Sequence, residues 1–280
     1  MKLVRYGEKG RERPGLVDAT GGIRDLSGHV ADITGDVLGP GRLAQIAQLA
    51  AGDLPLVPCH VRLGPCVGSV GKIICVGLNY RDHAAEAGMI VPSEPVLFMK
   101  ATSAICGPND DVKIPRASMK TDWEVELGVV IGKPGAGIPV HHAFDHVAGY
   151  CIVNDVSERS YQLERGGQWV KGKSYDTFAP IGPWLVTADE VPDPQALELF
   201  LEVDGHRCQG SSTREMIFGV GRLVSYISEF MSLQAGDIIS TGTPPGVGMG
   251  FRPPRFLSVG QVMRLGISGL GLQESRTVAA

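Results

Sequence analysis

The stretch Trp123-Glu124-Val125-Glu126-Leu127-Gly128-Val129-Val130-Ile131 opens as an alternation of apolar and acidic residues and closes as an unbroken apolar run. A strand repeats every two residues, so Trp123, Val125 and Leu127 share one face and Glu124 and Glu126 the other. The Cα atoms of the two acids are then about 6.6–6.8 Å apart, with side chains leaning the same way. The apolar continuation marks a buried strand, where two carboxylates are costly unless a cation or hydrogen bonds satisfy them. On spacing alone the pair reads as the solvent-facing half of an amphipathic strand, because Glu-x-Glu is common.

Outward from this stretch the chain is mostly short strands broken by Gly and Pro. Apolar runs at 72–77, 96–100, 149–153, 184–186, 199–203, 238–240 and 262–267 read as strands. One long helix is predicted where Leu223, Tyr226, Ile227 and Phe230 fall at i, i+3, i+4 and i+7. With 38 Gly and 19 Pro among 280 residues, a strand-and-turn architecture is favoured over a helical bundle. Residues 1–66 read as a small N-terminal α/β module. It has apolar runs around the turn Asp18-Ala19-Thr20-Gly21-Gly22, helical spacing at Leu43, Ile46, Ala47 and Ala50, and a Pro-spaced linker from Pro55 to Pro65. Residues 67–280 form the second, larger domain.

The net charge is -4 and no basic run exists, so neither a nucleic acid nor an anionic membrane has electrostatic support as a partner. No apolar stretch approaches the roughly 20 residues that cross a bilayer, and Met1-Lys2-Leu3-Val4-Arg5-Tyr6 reads as a strand rather than a secretion signal. The six cysteines are scattered without a C-x-x-C, as expected of reduced thiols in a cytoplasmic protein.

The segment Gly149-Tyr150-Cys151-Ile152-Val153-Asn154-Asp155 shifts the reading of the two glutamates, because an apolar strand delivers a third acid at its C-terminal end. Alone, Asp155 is as well explained as the cap of the next turn. With Glu124 and Glu126 it makes three oxygen ligands with no His or Cys cluster nearby, a set suited to Mg²⁺, Mn²⁺ or Ca²⁺ rather than zinc. Such a set leaves coordination positions for water and substrate.

Three further segments carry candidate chemistry. Asp82 and Gly88 bracket a short predicted helix on which His83 and Glu86 lie three apart. A carboxylate beside an imidazole raises its basicity, although on a surface helix the same pair is an incidental ion pair. Lys171 and Lys173 sit in a Gly-rich loop, where a lysine either fixes an anionic substrate group or is simply solvated. The stretch Thr241-Gly242-Thr243-Pro244-Pro245-Gly246 lacks the Gly-Lys-Ser/Thr ending of a phosphate loop, so a nucleotide site is rejected.

Taken in order, these segments resemble the fumarylacetoacetate hydrolase family over about residues 70–278. The resemblance rests on Gly77-Leu78-Asn79-Tyr80-x-x-His83-x-x-Glu86, Phe98-Met99-Lys100, Trp123-Glu124-Val125-Glu126-Leu127-Gly128 and Asn154-Asp155-Val156-Ser157-x-Arg159. Lys173-Ser174-Tyr175-Asp176-Thr177-Phe178 and Gly236-Asp237-Ile238-Ile239-x-Thr241-Gly242-Thr243-Pro244 complete it. Each motif is weak alone; their order is specific. One departure is Gln261, where the family usually has Asp, at a position that reads as a turn.

The resemblance implies an α+β fold with a mixed β-roll core, a bound Mg²⁺ or Mn²⁺ and a homodimer. By position it implies Glu124, Glu126 and Asp155 as metal ligands and His83 with Glu86 as a water-activating dyad on a lid. Lys173 and Thr243 would hold the pyruvoyl end of a 2-oxo acid substrate, with Arg159 and Gln162 contacting substrate or ligands. The pattern looks closest to bacterial members that hydrolyse 2,4-diketo-3-deoxy sugar acids such as the L-rhamnonate and fuconate derivatives, relatives often labelled ureidoglycolate lyase. Acylpyruvate hydrolysis, ureidoglycolate cleavage and oxaloacetate decarboxylation use the same implied site. A non-catalytic binding homologue would be expected to have lost one of these residues, and all are present.

Overall fold

The computed structural model describes residues 1–82 and 91–280. Its strands, in chain order, are β1 (Lys2–Tyr6), β2 (Arg13–Val17), β3 (Ile23–Asp25), β4 (Ile73–Gly77), β5 (Val96–Lys100), β6 (Ile105–Cys106), β7 (Val112–Ile114), β8 (Thr121–Asp122) and β9 (Val125–Ile131). After β10 (Val147–Asn154) and β11 (Ser157–Glu158) come β12 (Ala179–Thr187), β13 (Glu198–Val203), β14 (His206–Ser212), β15 (Ile238–Ser240), β16 (Val262–Ile267) and β17 (Gly271–Ala279). Four α-helices are described: α1 (Pro40–Ala47), α2 (Arg159–Leu163), α3 (Val170–Lys173) and α4 (Val220–Phe230). This is an α+β fold of mixed sheets with few helices.

The larger sheet runs β3-β2-β1-β12-β10-β9-β15-β4-β5, with β6 joined to β12. A second sheet runs β14-β13-β16-β17-β7, and β8 with β11 forms a two-stranded ladder. Most pairings are antiparallel, but β15 with β4, β12 with β6 and β17 with β7 are parallel. Strands β9 and β10 lie in the middle of the large sheet, and every residue of both is buried. That is why Val129-Val130-Ile131 reads as a continuous apolar run: neither face meets water. Gly128 is required by this crowding, because a Cβ there would stand 2.8 Å from both Cys151 Sγ and Val153 Cγ2 on the neighbouring strand.

The first 66 residues contribute three strands and α1, and β1 pairs with β12 through Lys2↔Val186 and Leu3↔Leu185, so the large sheet continues across the expected boundary. An ion pair adds to this seam: Arg62, bound to Glu12 within the first 66 residues, reaches Asp110 across the boundary at 2.6 Å. In α4, Leu223 and Ile227 are buried as the spacing predicts, whereas Phe230 is 62% exposed. Phe230 lies in the last turn and contacts Tyr226 edge-on at 4.9 Å instead of the core. Among the described residues no helix is long and apolar enough to cross a membrane.

Candidate metal centre and substrate cavity

Register in the large sheet assembles the three acids. Asn154 pairs with Val125 and Val153 with Glu126, so the end of β10 lies beside the start of β9. Asp155 N then donates to Glu124 O at 2.9 Å, and Asn154 Oδ1 accepts from Glu124 N at 3.2 Å. Carboxylate oxygens of Glu124, Glu126 and Asp155 all come within 4.8 Å of one another, and all three residues are buried.

Each carboxylate is held differently. Glu126 Oε2 accepts from Ser240 Oγ, at the last residue of β15, at 2.6 Å and from Gly242 N, two residues further on, at 2.9 Å. Glu124 is clamped between Arg159 Nη2 at 2.6 Å and Lys173 Nζ at 2.7 Å. Asp155 lies between Lys100 Nζ at 2.5 Å and Lys173 Nζ at 2.7 Å. Arg159 reaches further, to Asp122 through Nε at 2.8 Å and to Gln162 Oε1 through Nη1 at 3.0 Å.

This arrangement splits the titration of the two glutamates. Burial pushes Glu126 up to about 8, reinforced by the charges of Asp155 and Glu124. Burial also opposes ionisation of Glu124, but Lys173 and Arg159 win and hold it at about 2. Burial works against the charge of Lys173, yet the adjoining Asp155 and Glu124 raise its pKa, so it stays an ammonium.

Charge counting tests whether a cation fits. Among the described residues, four buried carboxylates, those of Asp122, Glu124, Glu126 and Asp155, face three cations, Lys100, Arg159 and Lys173. A proton on Glu126 neutralises the surplus, which is what its raised pKa expresses. A divalent cation would release that proton and leave one net positive charge, a match for an anionic substrate group. Three hard oxygen donors also suit Mg²⁺ or Mn²⁺. The residues fit such an ion.

Glu124 and Glu126 stand at one end of a cavity of about 670 Å³. Arg159, Gln162, Lys173 and Thr243 join Glu124 and Glu126 at this polar end, whereas Phe98, Leu163, Trp169, Val247, Met249 and Phe251 make much of the remaining wall. Phe98 and Trp169 meet edge to face at 5.3 Å, and Lys173 Nζ lies 4.9 Å from the Phe98 ring. The Thr243 hydroxyl donates to Val125 O at 2.9 Å and accepts from Gln209 Nε2 at 2.8 Å.

The chain's residues 72–278 match the family model described as the C-terminal domain of fumarylacetoacetate (FAA) hydrolase. The chain belongs to the fumarylacetoacetate hydrolase family. A Burkholderia multivorans relative named as a hydrolase is 63% identical over 281 residues, covering 100% of both chains. Fumarylacetoacetate hydrolase from Exiguobacterium antarcticum superposes with a TM-score of 0.90 at 35% identity, covering 100% of both chains. Maleylpyruvate hydrolase from Sphingobium sp. SYK-6, solved with manganese(II) and pyruvate, gives 0.84 at 29% identity, again over 100% of both.

Of the residues picked from the sequence, Glu124, Glu126, Asp155, Arg159, Gln162, Lys173 and Thr243 converge on this one site of the fumarylacetoacetate hydrolase fold. His83 and Glu86 lie outside the described residues. Lys171 points elsewhere, donating to Arg165 O at 2.7 Å. Sequence reasoning gave no role to Lys100, Asp122, Ser240 or Gln209. A lysine closing the apolar run of β5 is the signal that could have found Lys100.

Proposed function

We propose that the protein is a divalent-metal-dependent hydrolase that cleaves the C3–C4 bond of a 2,4-dioxo acid, releasing pyruvate and a second acid. The observation that carries this reading is the buried ammonium of Lys173 bridging Glu124 and Asp155 within a three-carboxylate cluster. The manganese and pyruvate bound by the Sphingobium relative support the same assignment.

Glu124, Glu126 and Asp155 would hold Mg²⁺ or Mn²⁺, which when bound supplies Lewis-acid stabilisation of enolate charge. Lys173, kept protonated by its two carboxylates, adds a hydrogen-bond donor where that charge develops. Arg159 and Gln162, locked to each other, orient the carboxylate end of the substrate. Thr243 would contribute by turning its hydroxyl from Val125 O toward a substrate oxygen. In this reading His83, made more basic by Glu86, takes a proton from the water that attacks C4. The tetrahedral adduct then collapses by breaking the C3–C4 bond, with the electron pair passing to the pyruvate enolate. A 2,4-diketo-3-deoxy sugar acid is the substrate within this class that the sequence pattern favours.

The test uses loss of 2,4-diketone enolate absorbance together with pyruvate release. The panel is acetopyruvate, a 2,4-diketo-3-deoxy sugar acid, oxaloacetate and ureidoglycolate, each with Mn²⁺ and with EDTA. Metal-dependent pyruvate release from a 2,4-dioxo acid is the expected result. Turnover of oxaloacetate or ureidoglycolate alone would replace C–C hydrolysis by decarboxylation or lyase chemistry at the same site.

A further inference from the structure

Asp122 is fully buried and spends both carboxylate oxygens on the walls of the site. Oδ1 accepts from Trp123 N at 2.8 Å and from Gly248 N at 2.6 Å. Oδ2 accepts from Met249 N at 3.0 Å and from Arg159 Nε at 2.8 Å. The two-stranded ladder of β8 with β11, in which Ser157 faces Asp122, sets this geometry by placing Arg159 one residue beyond the paired segment.

One side chain therefore ties together two parts of the site distant in sequence. On one side stands Arg159, which grips Glu124 and Gln162. On the other stands the cavity wall from Val247 to Pro254, whose first turn is the Gly248–Gly250 segment. A further bond from Arg255 N to Gly248 O at 2.9 Å folds this wall back on itself. Among the described residues, each of the four hydrogen-bonding groups facing Asp122 is a donor. An asparagine in its place must turn an amide N–H toward two of those donors, whichever way the amide lies.

We infer that Asp122 is a positioning residue with two separable effects. Through Arg159 it sets the orientation of Glu124 and of the substrate-facing guanidinium; through Gly248 and Met249 it sets the shape of the wall opposite the acyl group beyond C4. Partners that orient first contacts in this way typically matter by about 10–100-fold in activity or metal affinity. The inference rests on the proposed acylpyruvate chemistry for its kinetic readout, but not for its structural one.

The test compares Asp122→Asn with wild type on acetopyruvate, which carries a methyl group at C4, and benzoylpyruvate, which carries a phenyl ring. Both proteins are loaded with Mn²⁺. Expected is a fall in kcat of about tenfold or more on both substrates, with KM rising several-fold more for benzoylpyruvate than for acetopyruvate. In EDTA, trypsin should cut the variant faster after the exposed Arg255, because its wall has lost an anchor. A uniform fall in kcat with the KM ratio and the trypsin pattern unchanged would reduce Asp122 to general structural support and overturn the inference, as would wild-type kinetics.

Should Asp122→Asn fail to fold, Arg159→Lys decides. It leaves the bonds to Gly248 and Met249 in place, so kcat must fall while the KM ratio stays that of wild type; a shifted ratio contradicts two separable effects. If wild type turns over neither substrate, the kinetic comparison moves to whichever 2,4-dioxo acid of the panel it does cleave; if it cleaves none, the functional reading fails, and the trypsin comparison alone decides whether Asp122 anchors the wall.

Discussion

Lys173 Nζ lies 2.7 Å from Glu124 Oε2 and 2.7 Å from Asp155 Oδ2, so one ammonium spans two of the three carboxylates that would ligate a cation. Each of those acids keeps a second cationic partner, Arg159 for Glu124 and Lys100 for Asp155. Removing the ammonium therefore frees carboxylate oxygens without stripping the cluster of support. Lys173→Met should bind Mn²⁺ no more weakly than wild type while kcat falls by about 10²–10³-fold, the usual cost of losing a donor to developing oxyanion charge. Calorimetric Mn²⁺ titration beside pyruvate release checks this. A loss of affinity matching the loss of rate would mean that Lys173 serves the metal site rather than the reaction.

The raised pKa of Glu126 gives the metal-free protein a definite pH dependence. Its folded value of about 8 stands above the ordinary 4.5, so the stability it contributes is present below 4.5 and is lost as pH rises through 8. Glu124 is shifted the other way, to about 2, so its contribution is complete above the ordinary 4.5 and is lost as pH falls from there through 2. Between pH 5 and 8, EDTA-treated protein should thus show a Tm that falls with pH, and Glu126→Gln should flatten that slope. Mn²⁺ binding near pH 7 should release close to one proton, read from titrations in buffers of different ionisation heat. A proton-neutral titration would show that Glu126 is already ionised.

Lys100 and Asp155 form an ion pair with no solvent exposure on either side chain. Lys100 also donates to Val156 O at 3.1 Å. Taking one partner from a buried pair costs about 3–5 kcal/mol, and Asp155 retains Lys173, so Lys100→Met should lie near the lower end. Urea unfolding in EDTA measures this loss. Repeating it with saturating Mn²⁺ should shrink the difference, since the cation takes over the freed oxygen. An equal loss in both conditions would argue that Asp155 is no ligand.

Much of this site was legible because it obeys local rules. The Glu-x-Glu strand and the strand-end Asp155 follow from period-two alternation and an apolar run, and the ordered motifs pointed to Lys173 and Arg159. Contacts set by register were not legible: nothing local says that Val125 faces Asn154, or that Ser240 and Gly242 reach Glu126. Strand β17 escaped for a different reason. Its buried face consists of Gln273, Ser275 and Thr277, so the alternation runs with polar residues inward. Gln273 Nε2 reaches the carbonyls of Ile152, Pro180 and Gly182, and those bonds rather than hydrophobicity bury it. Strand β14, with the polar sequence His206-Arg207-Cys208-Gln209, was missed on the same grounds.

For the dyad implied by sequence, His83→Ala should reduce hydrolysis of acetopyruvate by about 10²–10⁴-fold, the range for loss of a general base. Mn²⁺ affinity should not change, because the three carboxylates are held by other residues. Azide or imidazole added to the variant offers a second readout, partial rescue of rate. Unchanged hydrolysis would remove His83 from water activation.

Gly242 links backbone conformation to the metal site. Its φ is +99°, a region that side chains with a Cβ rarely adopt, and its N–H donates to Glu126 Oε2 at 2.9 Å. A Cβ here would also stand 2.8 Å from Asn79 Cβ and 3.0 Å from Val76 O, and the latter is backbone that cannot turn aside. Gly242→Ala must therefore either absorb strain of about 1–3 kcal/mol or move the loop, and movement withdraws the donor from Glu126. Mn²⁺ affinity should weaken by more than the same substitution produces at Gly205, whose φ of +77° carries similar backbone strain but whose Cβ would meet nothing within 4 Å. Parallel unfolding and Mn²⁺ titrations of the two variants separate the effects. Equal stability losses with equal, unchanged metal affinities would show that the Gly242 amide plays no part in holding Glu126 for the cation.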